Sequence, residues 1–146
     1  MITVSVTMPL SGNQREVYGR IADVLICESD GMPSATQVDV HTRWIDEALR
    51  LRPDLREALD AVIEMVRDAD AHDVRSAVER IASLHRVLFE GVGTLTAGSY
   101  YMDDRVRALM GYPGQEARRL VDDTDQYLDQ LARVVDRGPL YRPTPT

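Results

Sequence analysis

Two consecutive amphipathic segments decide the fold, and they lie in residues 53–88, PDLREALDAVIEMVRDADAHDVRSAVERIASLHRVL. Pro53 suits the first turn of a helix, and the apolar residues after it recur three or four positions apart. The second segment repeats this spacing after Asp70, which we expect to cap it. One apolar and one charged face per segment is typical of helices packed in a bundle. The two apolar stripes are Leu55, Leu59, Val62 and Val66, then Val74, Val78, Ile81, Leu84 or His85, and Leu88.

Helices are also predicted upstream of this stretch. Asn13 and Glu16 have the spacing of a capping box for a first helix, which the turn DGMP at residues 30–33 ends. Ser34 is the expected cap of a second helix. The inner face of that helix carries Val38, Ile45 and Leu49.

Downstream, the pattern predicts two further helices and a tail. Gly91 and Gly93 are expected to end or bend the fourth helix, since each costs roughly 1 kcal/mol relative to alanine. Asp103 can cap a short helix over residues 104–110, which Gly111 closes. A last helix is predicted over residues 115–135. The fold predicted is therefore all-α: an N-terminal arm (1–12), an irregular bundle of about six helices (13–136) and an extended proline-rich C-terminal tail (137–146).

Composition narrows the possible partners. The chain has 146 residues and a formal charge of −7, and all 17 of its basic residues are arginine. Nucleic-acid binding draws on clustered basic side chains, so we expect no nucleic-acid partner. No apolar stretch approaches the ~20 residues needed to cross a bilayer, and no signal sequence is evident, so we expect no membrane insertion and a cytoplasmic location. The single cysteine, Cys27, lies in an apolar run and is expected to be buried.

The chemistry-bearing residues do not form a recognisable active site. The three histidines, His41, His72 and His85, are dispersed, and no repeated Glu-x-x-His pair indicates a metal site. The aspartates at 122, 123, 125 and 129 lack the glycine and terminal glutamate of a calcium loop. We therefore predict no catalytic residue, no metal and no cofactor in this chain.

The segment from Gly98 to Arg142 is unusual because it holds five of the six tyrosines, interleaved with seven arginines. Tyrosine and arginine are enriched in protein–protein hot spots. Tyr100 and Tyr127 could equally pack on the bundle. A partner is favoured for Tyr141 and Arg142, since a proline-rich tail has no core to join.

Within this segment, GSYYMDDRVRALMGYPGQEARRL (98–120) and VVDRGPLYRP (134–143) resemble the gluconate 2-dehydrogenase subunit 3 family. The early stretch IADVLICESDGMPSATQVDVHTRWIDEAL (21–49) is similar to that family's opening helix and turn. The resemblance implies a large flavoprotein partner of the glucose–methanol–choline (GMC) type that carries the FAD. It also implies that the small subunit stabilises this partner. The partner-contacting residues implied are Tyr100, Tyr101, Arg105, Tyr112, Pro113, Gly114, Arg137, Gly138, Pro139, Tyr141 and Arg142.

The sequence favours two functions over a small enzyme with a pocket between its helices. The first is an accessory subunit of a flavin-dependent dehydrogenase that oxidises a sugar, a sugar acid or a glycoside, in a hetero-oligomer. The second is a stand-alone helical adaptor or regulator whose tyrosine- and arginine-rich tail is its binding epitope. The twin-arginine signal that often accompanies exported members of the family is absent from this sequence.

Overall fold

The computed structural model describes residues 8–112, 114–115 and 124–138, except for the side chain of Gln126. These described residues form seven α-helices and no strand, which confirms the all-α prediction. The helices are α1 (Gly12–Leu25), α2 (Ile45–Leu51), α3 (Arg56–Val66), α4 (Val74–Leu84), α5 (Arg86–Met102), α6 (Asp104–Leu109) and α7 (Thr124–Arg137). The predicted extended tail lies outside the described residues beyond Gly138.

The chain divides into two compact units, Met1–Gly114 and Gln115–Thr146. In the first unit α5 packs against α2, α3 and α4, and α1 packs against α3 and α4. Fully buried side chains at the centre of this unit include Tyr18, Ile21, Ile45, Leu59, Ile63 and Leu95. Burying each such side chain contributes about 1.5–3 kcal/mol, so this shared apolar core holds the helices together.

The first helix begins two residues earlier than predicted. Its N-cap is Ser11, not Asn13: the Ser11 hydroxyl accepts from the Gln14 amide at 3.3 Å, and Gln14 Oε1 accepts from the Ser11 amide at 2.9 Å. Both halves of a capping box are therefore present at this pair. Leu10 is only 4% exposed and anchors the preceding chain on the core.

The predicted second helix is interrupted at Asp39. A 3₁₀ turn (Thr36–Val38) is followed by Asp39 in the left-handed conformation at φ 58°, by one π-helical segment (Val40–Trp44) and then by α2. Val38 and Val40 are both buried. Residues two positions apart cannot share one face of a regular α-helix, so the break lets both valines reach the core.

The fourth helix also differs from the prediction. Helix α4 starts at Val74 with Asp73 as its N-cap, not Asp70, and ends at Leu84, so the single helix predicted to reach Leu88 is divided at His85. Helix α5 then runs without interruption through Gly91 and Gly93, which were expected to end or bend a helix. The reason lies in packing, because a Cβ built at Gly91 would lie 3.1 Å from Ala58 Cβ of α3. The glycine allows these two helices to approach closely.

The remaining predicted features have mixed outcomes. Asp103 caps α6 as expected, and α7 ends at Gly138, whose φ is 72°. Most of the segment between Gln115 and Thr124 lies outside the described residues. Cys27 is exposed and not buried, because α1 ends at Leu25 and the chain leaves the core there.

Candidate partner-binding surface

A buried tyrosine joins the end of α5 to the turn after α1. Tyr100 is 3% exposed, and its hydroxyl donates to the Pro33 carbonyl at 2.7 Å. Burial, with the nearby Tyr101 and Asp103, raises the pKa of Tyr100, so the hydroxyl remains a protonated donor. The predicted interface role of Tyr100 is therefore corrected: its side chain belongs to the core and positions the turn.

The turn itself is a tight reversal with two left-handed residues. Asp30 and Gly31 have φ of 49° and 82°. Ser29 and Met32 exchange backbone hydrogen bonds in both directions, at 3.2 and 2.8 Å. Two successive positive φ values are typical of the two-residue hairpin turn. Gly31, at the second position, adopts a positive φ without strain because it has no Cβ.

Asp103 fixes the start of α6 and with it the position of Arg105. One carboxylate oxygen of Asp103 accepts from the amides of Arg105 at 2.9 Å and Val106 at 3.2 Å. The other accepts from Trp44 Nε1 at 3.2 Å. Val106 is completely buried. The helix is thus tied to the core from two sides while the Arg105 side chain remains exposed.

The turn and the start of α6 border an open hollow of about 350 Å³. Sequence reasoning identified the turn and Arg105 separately but did not predict that they meet. The turn and Arg105 are more than 70 residues apart in the chain, so no local pattern signals that they line the same hollow. The lining residues are Glu28, Gly31, Met32, Pro33, Gln37 and Arg105.

Exposed apolar side chains follow in the same segment of the chain. Tyr101 and Tyr112 are 51% and 53% exposed, as predicted for surface residues, and Leu109 and Met110 are exposed beside them. The Tyr101 ring lies edge-on to Tyr100, with centroids 5.6 Å apart. Gly111, at φ 69°, closes α6 as expected, and the Tyr112 amide donates to the Arg107 carbonyl at 2.9 Å.

The other predicted contact residues are only partly described. Gly114 has φ 94° and Gly138 has φ 72°, so both hold the left-handed conformation that favours glycine. Arg137 is exposed at the end of α7. Exposed apolar residues recur along α7 at helical spacing: Tyr127, Leu128, Leu131, Val134 and Val135. Four predicted residues lie outside the described residues: Pro113, Pro139, Tyr141 and Arg142.

Buried polar groups in the described bundle serve its internal packing. Tyr18 is fully buried, and its hydroxyl lies 3.1 Å from Thr96 Oγ1. Burial raises the pKa of Tyr18 to about 12. His41 Nδ1 is buried and has no hydrogen-bond partner among the described residues. No group of three or more potential metal ligands occurs among the described residues. None of the helices described there has both the length and the apolar character to cross a membrane.

Comparison with known proteins adds no identification. The chain matches no family model, no curated protein and no solved structure.

Proposed function

We propose that this chain is a non-catalytic small subunit that binds and stabilises a large FAD-dependent oxidoreductase of the GMC type. The partner acts on a sugar, a sugar acid or a glycoside, and it holds the flavin and performs the catalysis. The small subunit has no cofactor of its own. The two chains form a hetero-oligomer that works in the cytoplasm, without nucleic acid and without insertion of the small subunit into a membrane.

The observation that carries this proposal is a concentration of exposed apolar side chains after residue 100. Tyr101, Leu109, Met110 and Tyr112 are each about half exposed, and they occur within a dozen residues of one another. Large exposed apolar groups beside arginine are characteristic of interface hot spots. The resemblance to the gluconate 2-dehydrogenase subunit 3 family covers the same segment, and members of that family accompany such a flavoprotein.

The mechanism of support is preferential binding to the folded partner. A subunit that binds only the native form of a protein raises its stability by mass action, and the gain increases with the concentration of the subunit relative to its dissociation constant. An obligate interface of this type buries more than roughly 2,000 Å² of total surface. We therefore expect the partner to be less stable, or insoluble, when it is produced alone.

Purification of the tagged full-length chain from its native host tests the proposal. We expect a yellow complex in which a larger protein absorbs blue light as flavoproteins do. Tyr101→Ala and Tyr112→Ala should each weaken the complex about tenfold or more, a loss typical of hot-spot residues. Val87→Ala is the matched control because Val87 is 81% exposed but lies outside this segment. A colourless chain without a large partner would refute the proposal.

The alternative is a stand-alone helical adaptor or regulator. The exposed apolar stripe of α7 favours it, since such a helix face can bind a groove in many kinds of protein. This alternative predicts a partner that contains no flavin. It also predicts that the partner remains folded when this chain is absent.

A further inference from the structure

Internal hydrogen bonds connect several of the residues that line the hollow beside Arg105. Gln37 Oε1 accepts from the Ser34 amide at 2.9 Å, and Gln37 Nε2 donates to Glu28 Oε2 at 2.8 Å. Both ends of the Gln37 amide are thus engaged, which orients the Glu28 carboxylate. The carbonyl of Pro33, another lining residue, accepts a hydrogen bond from the Tyr100 hydroxyl. A site whose walls are already ordered loses less entropy when a ligand binds.

Arg105 is the cation of this hollow. Its side chain forms no hydrogen bond or ion pair with any residue that the structure describes. The carboxylates nearest to it in sequence are engaged elsewhere: Asp103 caps α6 and binds Trp44, and Asp104 pairs with Arg107. A guanidinium group without such a partner is available for a bidentate ion pair with a group from outside.

The charges of the hollow determine which ligand it accepts. It contains one cation, Arg105, and one anion, Glu28. Glu28 repels any anion, so a ligand of this hollow needs a hydrogen-bond donor for Glu28 as well as a negative group for Arg105, and a phosphate dianion offers no such donor. Glu28 Oε1 accepts no hydrogen bond from the described residues, so an N–H of the same ligand can donate to it. This combination, one carboxylate and a neighbouring amide donor, is what an acidic residue in a protein chain offers.

We propose that the hollow is the docking site for an extended segment of the partner protein that carries an aspartate or glutamate. The carboxylate of this residue forms a forked pair with Arg105, and a backbone N–H of the segment donates to Glu28. Only Met32 and Pro33 among the lining residues are apolar, so the hollow lacks the apolar enclosure typical of small-molecule pockets. The inference rests on the proposed function for the identity of the partner but not for the chemistry of the site.

Two blocked tripeptides test the chemistry with the isolated full-length chain. Acetyl-Gly-Asp-Gly-amide and acetyl-Gly-Asn-Gly-amide have nearly the same shape and differ in charge. In an NMR titration, we expect the aspartyl peptide to shift the Gly31 amide and the Arg105 Nε–H signals saturably, and to bind about tenfold more tightly than the asparaginyl peptide. Arg105→Gln should abolish this preference. Arg80→Gln should preserve it, since Arg80 is exposed on α4 outside the hollow. Equal shifts with both peptides, or an unchanged preference in Arg105→Gln, would overturn the proposal.

A second measurement uses the complex and separates the two proposals. If a flavoprotein co-purifies with the wild-type chain, Arg105→Glu should weaken the complex at least tenfold more than Arg80→Glu does. Equal retention in both variants would refute docking at the hollow while leaving the accessory function intact. If no flavoprotein co-purifies, the proposed function fails. The peptide titration still decides whether the hollow binds a carboxylate.

Discussion

The three glycines of α5 provide a direct test of how this bundle is packed. At Gly93 and Gly98 an added Cβ would meet nothing within 4 Å. At Gly91 it would lie 3.1 Å from Ala58 Cβ and 3.6 Å from Leu55 Cδ2. All three positions lie in the same helix, so the gain in helix propensity from alanine is about the same at each, roughly 1 kcal/mol. The three substitutions therefore differ mainly in packing.

The contact with Ala58 decides whether Gly91→Ala stabilises or destabilises the protein. Carbon atoms pack best at about 3.5–4.0 Å, so the built contact is several tenths of an ångström too short. The Ala58 methyl is attached directly to the backbone and cannot rotate away, so α3 and α5 must separate slightly. Overpacking of this kind costs about 1–3 kcal/mol. After the propensity gain, Gly91→Ala should destabilise the protein by up to about 2 kcal/mol. Gly93→Ala and Gly98→Ala should stabilise it by about 0.5–1 kcal/mol.

Urea unfolding followed by tryptophan fluorescence measures these differences. Trp44 is the chain's single tryptophan, and it lies in the same compact unit as α5. Ala58→Gly in the Gly91→Ala background removes the short contact. The double variant should therefore be more stable than the sum of the two single effects predicts. If Gly91→Ala stabilises the protein as much as Gly93→Ala does, the close approach of α3 and α5 is wrong.

Three further predictions concern hydrogen bonds and ionisation. Burial raises the pKa of Tyr18 from 10.0 to about 12. Between these two pH values the hydroxyl loses its proton in the unfolded chain but keeps it in the folded one. The free energy of unfolding should therefore not depend on this group below pH 10 and should fall by about 1.4 kcal/mol per pH unit from pH 10 to pH 12. Tyr18→Phe should remove that slope when unfolding is compared across this range. Asp103→Ala should cost about 1 kcal/mol by removing the α6 cap, and it should shift the fluorescence of Trp44, whose Nε1 loses its acceptor. Arg15→Ala should cost about 1–3 kcal/mol because three backbone carbonyls lose their donor. Arg52→Ala breaks only an exposed ion pair and should cost clearly less in the same urea assay.

The long periodic segments could be predicted from sequence because their apolar spacing matches one helical face. Leu59, Val62 and Val66 of α3, and Val74, Val78 and Ile81 of α4, are all buried as expected. The predicted stripes fail at their ends: Leu55 is only partly buried, Leu84 is 69% exposed at the last residue of α4, and Leu88 lies on α5. Periodicity therefore predicts the body of a helix better than its ends.

The helix predictions were wrong at Asp39 and at Gly91 for the same physical reason. In both places a contact with a distant part of the chain overrides the local preference. Asp39 adopts the left-handed conformation so that Val38 and Val40 can both be buried, and Gly91 stays helical because α3 packs closely against it. A propensity of about 1 kcal/mol per residue is too small to oppose the burial of a large side chain. Neither contact can be read from neighbouring residues.

At the candidate site, too, the sequence does not reveal which side chains are buried by contacts with distant residues. Tyr100 and Tyr101 are the same residue type at adjacent positions, but Tyr100 is 3% exposed and Tyr101 is 51% exposed. Tyr100 holds the turn through Pro33, and Tyr101 remains available to a partner. A loss of function after Tyr100→Phe would therefore indicate a displaced turn and hollow, whereas the same loss after Tyr101→Ala would indicate a lost contact. Because the Tyr100 hydroxyl holds Pro33, which lines the hollow with Arg105, Tyr100→Phe should weaken carboxylate binding without removing any group that touches the ligand. Arg105→Gln removes the ion pair itself, so its effect on the charge preference should be the larger of the two.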